Sequence, residues 1–372
     1  MCSLTLTSCS SEAAVEFYEK RLKPGIDTLR NSCTPLRELV GAAEKIINEK
    51  FTPDARSTYK YKKDSKEISV GLDKIMLAML ACAEECGGES GKRYVVSAIS
   101  ACSEEEDVVG ALEALGTTWL THLLFIFKTS KAHGHRPSKN SFSDNVIIRD
   151  GYACVLTGFQ DSSHPKPAEG IPRLGLVGAH ILPRAIGAFD NDHDSGSFQS
   201  AMTMFDILVN FACLPVQTLE ELRGKLDDAS NGMTLQYDAY DAFDRFYWCL
   251  KPTEKEHVYD LKIFKSGGIL RKPGDNRISF QDHGNDFLPA SMHKRNRPVN
   301  LPDPSYIAIH AAIAGVLNMS GAGRFFDELL GEYKDKGGNV PAVRSWQELE
   351  TLMEDELIRE SIMKAFQSVV VR

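Results

Sequence analysis

The stretch LQYDAYDAFDRF, residues 235–246, reads as a short amphipathic helix carrying four aromatics and three aspartates. Asp244 follows Tyr240 by four positions, so on a helix both project from one face. A tyrosine hydroxyl, with an ordinary pKa of about 10, stays protonated at neutral pH, which makes it a hydrogen-bond donor and a poor ligand for Mg²⁺ or Zn²⁺. Upstream, AHILP places His180 at the end of an apolar run, and SNGMTL places Asn231 just before another. Histidine is the side chain that exchanges protons near neutral pH, although a lone histidine at a strand end is commonly structural. The plainer reading of the helix is that Tyr240 packs and Asp244 caps it or pairs with Arg245 or another surface cation.

The elements that must hold these residues follow from periodicity. Residues 11–130 show apolar positions recurring at three and four, in AAVEFYEKRL, TPLRELVGAAEKIINEKF, GLDKIMLAMLACAEECG and EEEDVVGALEALGTTWLTHLLFIFK, and predict an all-helical N-terminal region. Thr34, Pro35 and Glu38 form a good helix start. The nearly apolar WLTHLLFIF predicts a buried helix. The polar, basic segment 128–144 reads as an exposed connection. Beyond it, NVIIRD, YACVLTG and GLVGAHILP read as short β runs, SFQSAMTMFDILVNFA as a helix and VYDLKIFK as a strand. After a Pro/Gly-rich loop, the C-terminal third ends in helices.

Several motifs carry no chemistry. GGESGKRY at 87–94 has too few residues between its glycines for a phosphate loop and reads as a loop between helices. SGAGRFF at 320–326 lacks the third glycine of a dinucleotide fingerprint and reads as a helix–helix turn. Cys82 and Cys86, four apart, suit core packing. The nine cysteines include no CxxC pair, which fits a reducing compartment. In FDNDHDSGSF, Asp190, Asp192, His193 and Asp194 offer a makeshift metal loop, although a solvated turn is the simpler expectation.

Charge constrains the partners. The formal net charge is −8, and residues 144–265 hold 11 Lys/Arg against 18 Asp/Glu. That is the wrong sign for a module gripping DNA, because duplex binding displaces counterions with Lys and Arg. Basic residues concentrate in 133–139, 269–277 and 292–297, which offer at most a phosphate-binding rim. No apolar run reads as a membrane span and the N-terminus lacks secretory-signal character, so an intracellular site, cytoplasmic or nuclear, is expected.

The segments IIRDGYACVLTG, LVGAHILP, SNGMTLQYDAYDAFDRF and YWCLKP resemble the fungal branch of the HNH nuclease family, and LPDPSYIAIHAAIAGVLNMSGAG is similar to its C-terminal continuation. The resemblance spans roughly residues 144–330. It implies a β-hairpin followed by a helix around one divalent metal, with a first histidine activating water, a middle asparagine supporting the loop and a last histidine on the helix holding the metal. Phosphodiester hydrolysis needs both a base for the water and a cation for the developing charge. Carried over, His180 matches the base, Asn231 matches the middle asparagine, and Tyr240 stands where the helix histidine is expected. Ala179 occupies the position where many HNH proteins place an acidic ligand.

The expected fold is therefore α+β and predominantly helical: a helical N-terminal region (1–128), a linker (129–143), an HNH-like ββα module (144–266) and a C-terminal loop and helical extension (267–372). The preferred functional expectation is a divergent HNH site of His180, Asn231 and Tyr240 that has lost standard phosphodiester cleavage and been repurposed, as a binding module or as an enzyme with His180 and Tyr240 as an acid–base pair toward a small molecule, and no cofactor. The alternative is an active endonuclease on nucleic acid, with one Mg²⁺, Mn²⁺ or Zn²⁺ and Asp244 as substitute ligand.

Overall fold

The computed structural model describes residues 10–63, 66–129, 141–193, 195–265, 274–287, 298–334 and 345–351. Long helices dominate the described residues, with small sheets between them, so the α+β, mostly helical expectation holds. The expected loops 133–139 and 292–297, residue Asp194 and most of the 129–143 linker and the last helix lie outside the described residues.

Helices over 11–30, 36–51, Leu72–Ala101 and Val108–Thr129 build the N-terminal region. It is not all-helical, because Thr58–Lys63 pairs antiparallel with Lys66–Gly71. Alternation explains the ribbon: Tyr59, Ile68 and Val70 turn inward and are buried, while Lys60 pairs with Glu67 on the outside. The helix at 36 starts without a side-chain cap, Pro35 occupying the cap position, and the Thr34 carbonyl instead accepts a bond from Arg93. Residues 87–94 run inside the helix Leu72–Ala101 rather than forming a loop, with one break at Gly88, where φ is +57°.

Val108–Thr129 is long and apolar enough to cross a membrane, a length the sequence reading did not assign. Its most apolar stretch is 89% buried against the rest of the protein, and Trp119, Leu123, Phe125 and Phe127 lie in the core. One hydrophobic cluster runs from Tyr18 through Trp119, Phe211 and Trp248 to Ile313 and Phe326.

The segment NVIIRD, expected as a strand, belongs to the helix Ser141–Arg149. Phe142, Val146 and Arg149, spaced by four and three, all turn toward the neighbouring hairpin and are buried, and that packing overrides the β preference of the branched residues. YACVLTG is likewise a turn, not a strand, held by Cys154 N to Phe159 O at 2.8 Å and a single bridge between Ala153 and Gln160. The strand Leu176–His180, the helix Gly196–Ala212 and the strand Val258–Ile263 form where their patterns place them. Leu176–His180 pairs antiparallel with Gly232–Gln236, which leads directly into the helix Tyr237–Asp244. A three-stranded sheet of Trp248–Pro252, Val258–Ile263 and Arg277–Ser279 follows, and the helix Pro304–Ser320 packs on both Leu72–Ala101 and Trp248–Pro252. At Gly321, in the left-handed region with φ +81°, the chain turns into the helix Ala322–Lys334, as the SGAGRFF pattern suggests.

Candidate functional site

His180 ends its strand directly opposite Gly232. The helix Ser141–Arg149 lies close against this hairpin because the facing positions are glycine: a Cβ at Gly232 would stand 2.6 Å from the Phe142 ring, and one at Gly178 would stand 2.8 Å from the Ser143 Cα. The close approach lays the Phe142 ring flat on the His180 imidazole, centroids 4.0 Å apart and planes 11° from parallel.

The imidazole edge is fixed as well. Nε2 lies 2.9 Å from Oδ1 of Asp227, and Nε and Nη2 of Arg184 reach that same oxygen at 2.7 Å. The Asp227 carboxyl is buried in part, yet its bonds to His180 and Arg184 hold its pKa below the usual carboxylate range. An ionised carboxylate only accepts, so Nε2 carries the proton and Nδ1 carries the lone pair. Burial brings the His180 pKa down to about 4; the Asp227 bond opposes that fall and the Arg184 charge adds to it. The imidazole is neutral at pH 7, with Nδ1 available as a proton acceptor.

Asn231 is fully buried in the turn leading into the second strand. Its Oδ1 accepts from Leu182 N at 2.8 Å, and its Nδ2 donates to Leu182 O at 3.0 Å and Leu226 O at 2.9 Å. One side chain thus ties the turn after His180 to the loop that carries Asp227. Sequence reading missed a second tie. Arg149, fully buried, donates to both oxygens of Asp150 and to the carbonyls of Ala229, Gly232 and Asn300, while Asp150 accepts from Thr234 N at 2.7 Å. All five guanidinium N–H groups are used, so the pair clamps the second strand and its approach loop.

The helix Tyr237–Asp244 packs on both hairpin strands through Ala239, Ala242 and Phe243. His310 from the helix Pro304–Ser320 stacks on Phe243 at 3.7 Å and on Phe246 at 4.7 Å, and Trp248 Nε1 donates to Ala239 O. These contacts fix the helix's rotation. Phe243 and Phe246 are core, Tyr237 is 61% exposed, and Tyr240 lies half-buried at the edge of the packed face. Burial, with Asp244 next, raises the Tyr240 pKa, while Arg184 is near enough to pull against that rise. The hydroxyl therefore stays protonated, and the Arg184 charge acts on both His180 and Tyr240. Arg245 pairs with Asp241 at 3.0 Å.

Residues 154–251 match the HNH endonuclease family model. The matched span contains His180, Asn231, Tyr240 and Asp244, and the chain therefore carries an HNH-like domain. No curated protein and no solved structure gives a significant match. The ββα order of the HNH-like domain is the order observed for Leu176–His180, Gly232–Gln236 and Tyr237–Asp244.

The HNH metal does not fit the side chains present. Among the described residues no three His, Cys, Asp or Glu side chains gather as a metal-ligand group. Tyr240, at the position of the family's metal-holding histidine, presents a protonated hydroxyl, and the Asp227 carboxylate is held by His180 and Arg184. The described residues of the 189–198 insert form no such group, and His193 stacks on Phe198 at 4.3 Å. Asp227, Arg184 and Phe142 were not singled out in the sequence. Their signal lies in folding, since Asp227 and Phe142 stand 47 and 38 positions from His180.

Proposed function

We propose that the HNH-like domain has lost the family's metal-dependent phosphodiester cleavage and works as a metal-independent acid–base site, with Nδ1 of neutral His180 as proton acceptor and the Tyr240 hydroxyl as hydrogen-bond donor. The observation that carries this reading is the Asp227 bridge, in which the carboxylate binds His180 Nε2 and Arg184 together. It supplies what a base needs, a fixed tautomer and a neutral ring, and it commits the Asp227 carboxylate to His180 and Arg184. The excess of acidic residues over 144–265 also favours a small organic substrate over nucleic acid.

In this mechanism Phe142 and Asp227 hold the ring, Asn231 holds the loop, and Arg184 keeps the imidazole from protonating. A substrate proton passes to Nδ1 while Tyr240 donates to the oxygen on which charge develops. General-base catalysis contributes about 10²–10⁴-fold, and a base held at a pKa of about 4 falls toward the low end of that range at pH 7.

The family match and the placement of Asp244 one turn beyond Tyr240 favour a second reading, an active endonuclease with His180 as base and Asp244 as substitute ligand. Elemental analysis of the purified full chain, with plasmid nicking in Mg²⁺, Mn²⁺ and Zn²⁺, separates the two. The expected result is no stoichiometric metal and no nicking. A bound metal, with nicking abolished in His180→Ala, would overturn the metal-independent reading and establish the nuclease.

A further inference from the structure

Behind the loop that carries Asp227 lies a cavity of about 300 Å³, at the lower end of the range for small-ligand sites. Leu214, Pro215 and Val216 form an apolar wall, and Asp228, Asp303 and Tyr306 face it. Asp303 N donates to Ser230 O at 2.8 Å, which joins the two acidic segments into one wall. Asp228 uses Oδ1 for Ser230 N at 2.9 Å and Asn300 Nδ2 at 3.3 Å, and Asp303 uses Oδ1 for Ser305 N at 2.8 Å. Asp228 is bonded by the Ser230 side chain as well.

Tyr306 is the independent observation. Its side chain is only 4% exposed and lines the cavity, and its hydroxyl makes no hydrogen bond with a described residue. Burial first, then the charges of Asp303 and Asp228, push its pKa up to about 12, so the hydroxyl is protonated and lies within reach of both carboxylates' fields. The hydroxyl is the part of the side chain left open to the cavity, where it can pair with a bound donor or acceptor. Among the described residues lining the cavity, Lys225, held by Glu221 at 2.8 Å, is the one cation against two carboxylates, and the charge of Arg149 also reaches Asp228.

We propose that this cavity binds a small organic cation, a primary ammonium on a short alkyl chain, with the ammonium between Asp228, Asp303 and the Tyr306 hydroxyl and the chain along Leu214–Val216. An ammonium has three donors and no acceptor, which matches two carboxylates and a phenol oxygen. A bare divalent ion fits less well, because no third His, Cys, Asp or Glu joins the pair and the apolar wall would contact nothing. The site does not depend on the acid–base reading of His180, although Asp227 and Asp228 are adjacent and face the two sites from one loop.

Calorimetric titration of the full chain with n-butylamine, putrescine and, as the neutral isostere, n-butanol tests the site. One molar equivalent of either amine should bind, and n-butanol should not. Asp228→Asn and Asp303→Asn keep the capping oxygens and hence the local fold, and each should weaken binding tenfold or more. Tyr306→Phe should weaken it by a smaller factor. Gly224, where an added Cβ would meet no atom within 4 Å, gives a plugging variant, Gly224→Leu, that should block the amines without altering charge. Equal binding of butylamine and butanol, no binding of either amine, undiminished binding by both Asn variants, or tighter binding of Mg²⁺ or Ca²⁺ in the same cavity would each overturn the proposal.

Discussion

At the scale of single residues, His180 and Tyr240 define what the HNH-like domain can do, and both are set by neighbours rather than by their own types. A free imidazole would be half-protonated near pH 6.5; buried beside Arg184, His180 stays neutral down to about pH 4. NMR titration of the ring nitrogens should find the Nε2–H tautomer from pH 8 to below pH 5. Arg184→Gln removes a repelling charge and leaves Asp227 to the imidazole alone, so the midpoint should rise; an unchanged midpoint would exclude Arg184 from control of the ring. Restoring the family residue should not restore the metal. Tyr240→His supplies one nitrogen, but His180 Nε2 and the Asp227 carboxylate remain committed to each other and to Arg184. Zinc titration of that variant should show no stoichiometric site, and a tight one would mean the bridge yields readily.

At the scale of elements, the hairpin and its helix form because three parts hold them: the Phe142 face of the helix Ser141–Arg149, the Asn231 staple, and the buried Arg149–Asp150 pair. Arg149→Met should be the most damaging of these changes. It keeps much of the volume but leaves the Asp150 carboxylate buried without its cation and three carbonyls short of a donor, a loss of about 3–5 kcal/mol by analogy with broken buried pairs. Urea denaturation measures it, and a loss under about 1 kcal/mol would mean that water replaces the guanidinium. The same elements show what the sequence could express. The strand ending at His180, the helix of Tyr240 and the long N-terminal helices were legible because each carries its own period. The ribbon 58–71 was not, since its lysines hide the inward alternation of Tyr59, Ile68 and Val70. NVIIRD misled because a β-branched run sits on a helix face, and Val146 and Arg149 are buried there by the hairpin. Asp227 and Arg184 were invisible for a different reason: their partnership with His180 exists only after the 226–231 loop folds back on the strand.

At the scale of the whole molecule, one core unites the N-terminal helices, the HNH-like domain and the helix Pro304–Ser320, so a change in any buried charge should be felt by the entire fold. Three histidines make that testable. Burial lowers the pKa of His122 and His180 to about 4 and that of His310 to about 3. In the unfolded chain each returns to about 6.5. Between these limits the unfolded state binds protons that the native state refuses, so stability is complete above about pH 7 and is lost as the pH falls toward 4. Each unit of separation is worth about 1.4 kcal/mol per group, which makes the acid limb steep. His310 should dominate its coupling to the site, because its neutral ring stacks on Phe243 and Phe246 beneath the Tyr240 helix. Thermal melting followed from pH 8 to pH 4 should therefore show a flat region above pH 7 and a steep fall below pH 6.5. In His310→Phe, which keeps an aromatic ring and removes one titrating group, the fall should be shallower. A melting temperature independent of pH across that window would mean that the histidines are solvated in the native protein and that the core opens at the Tyr240 helix.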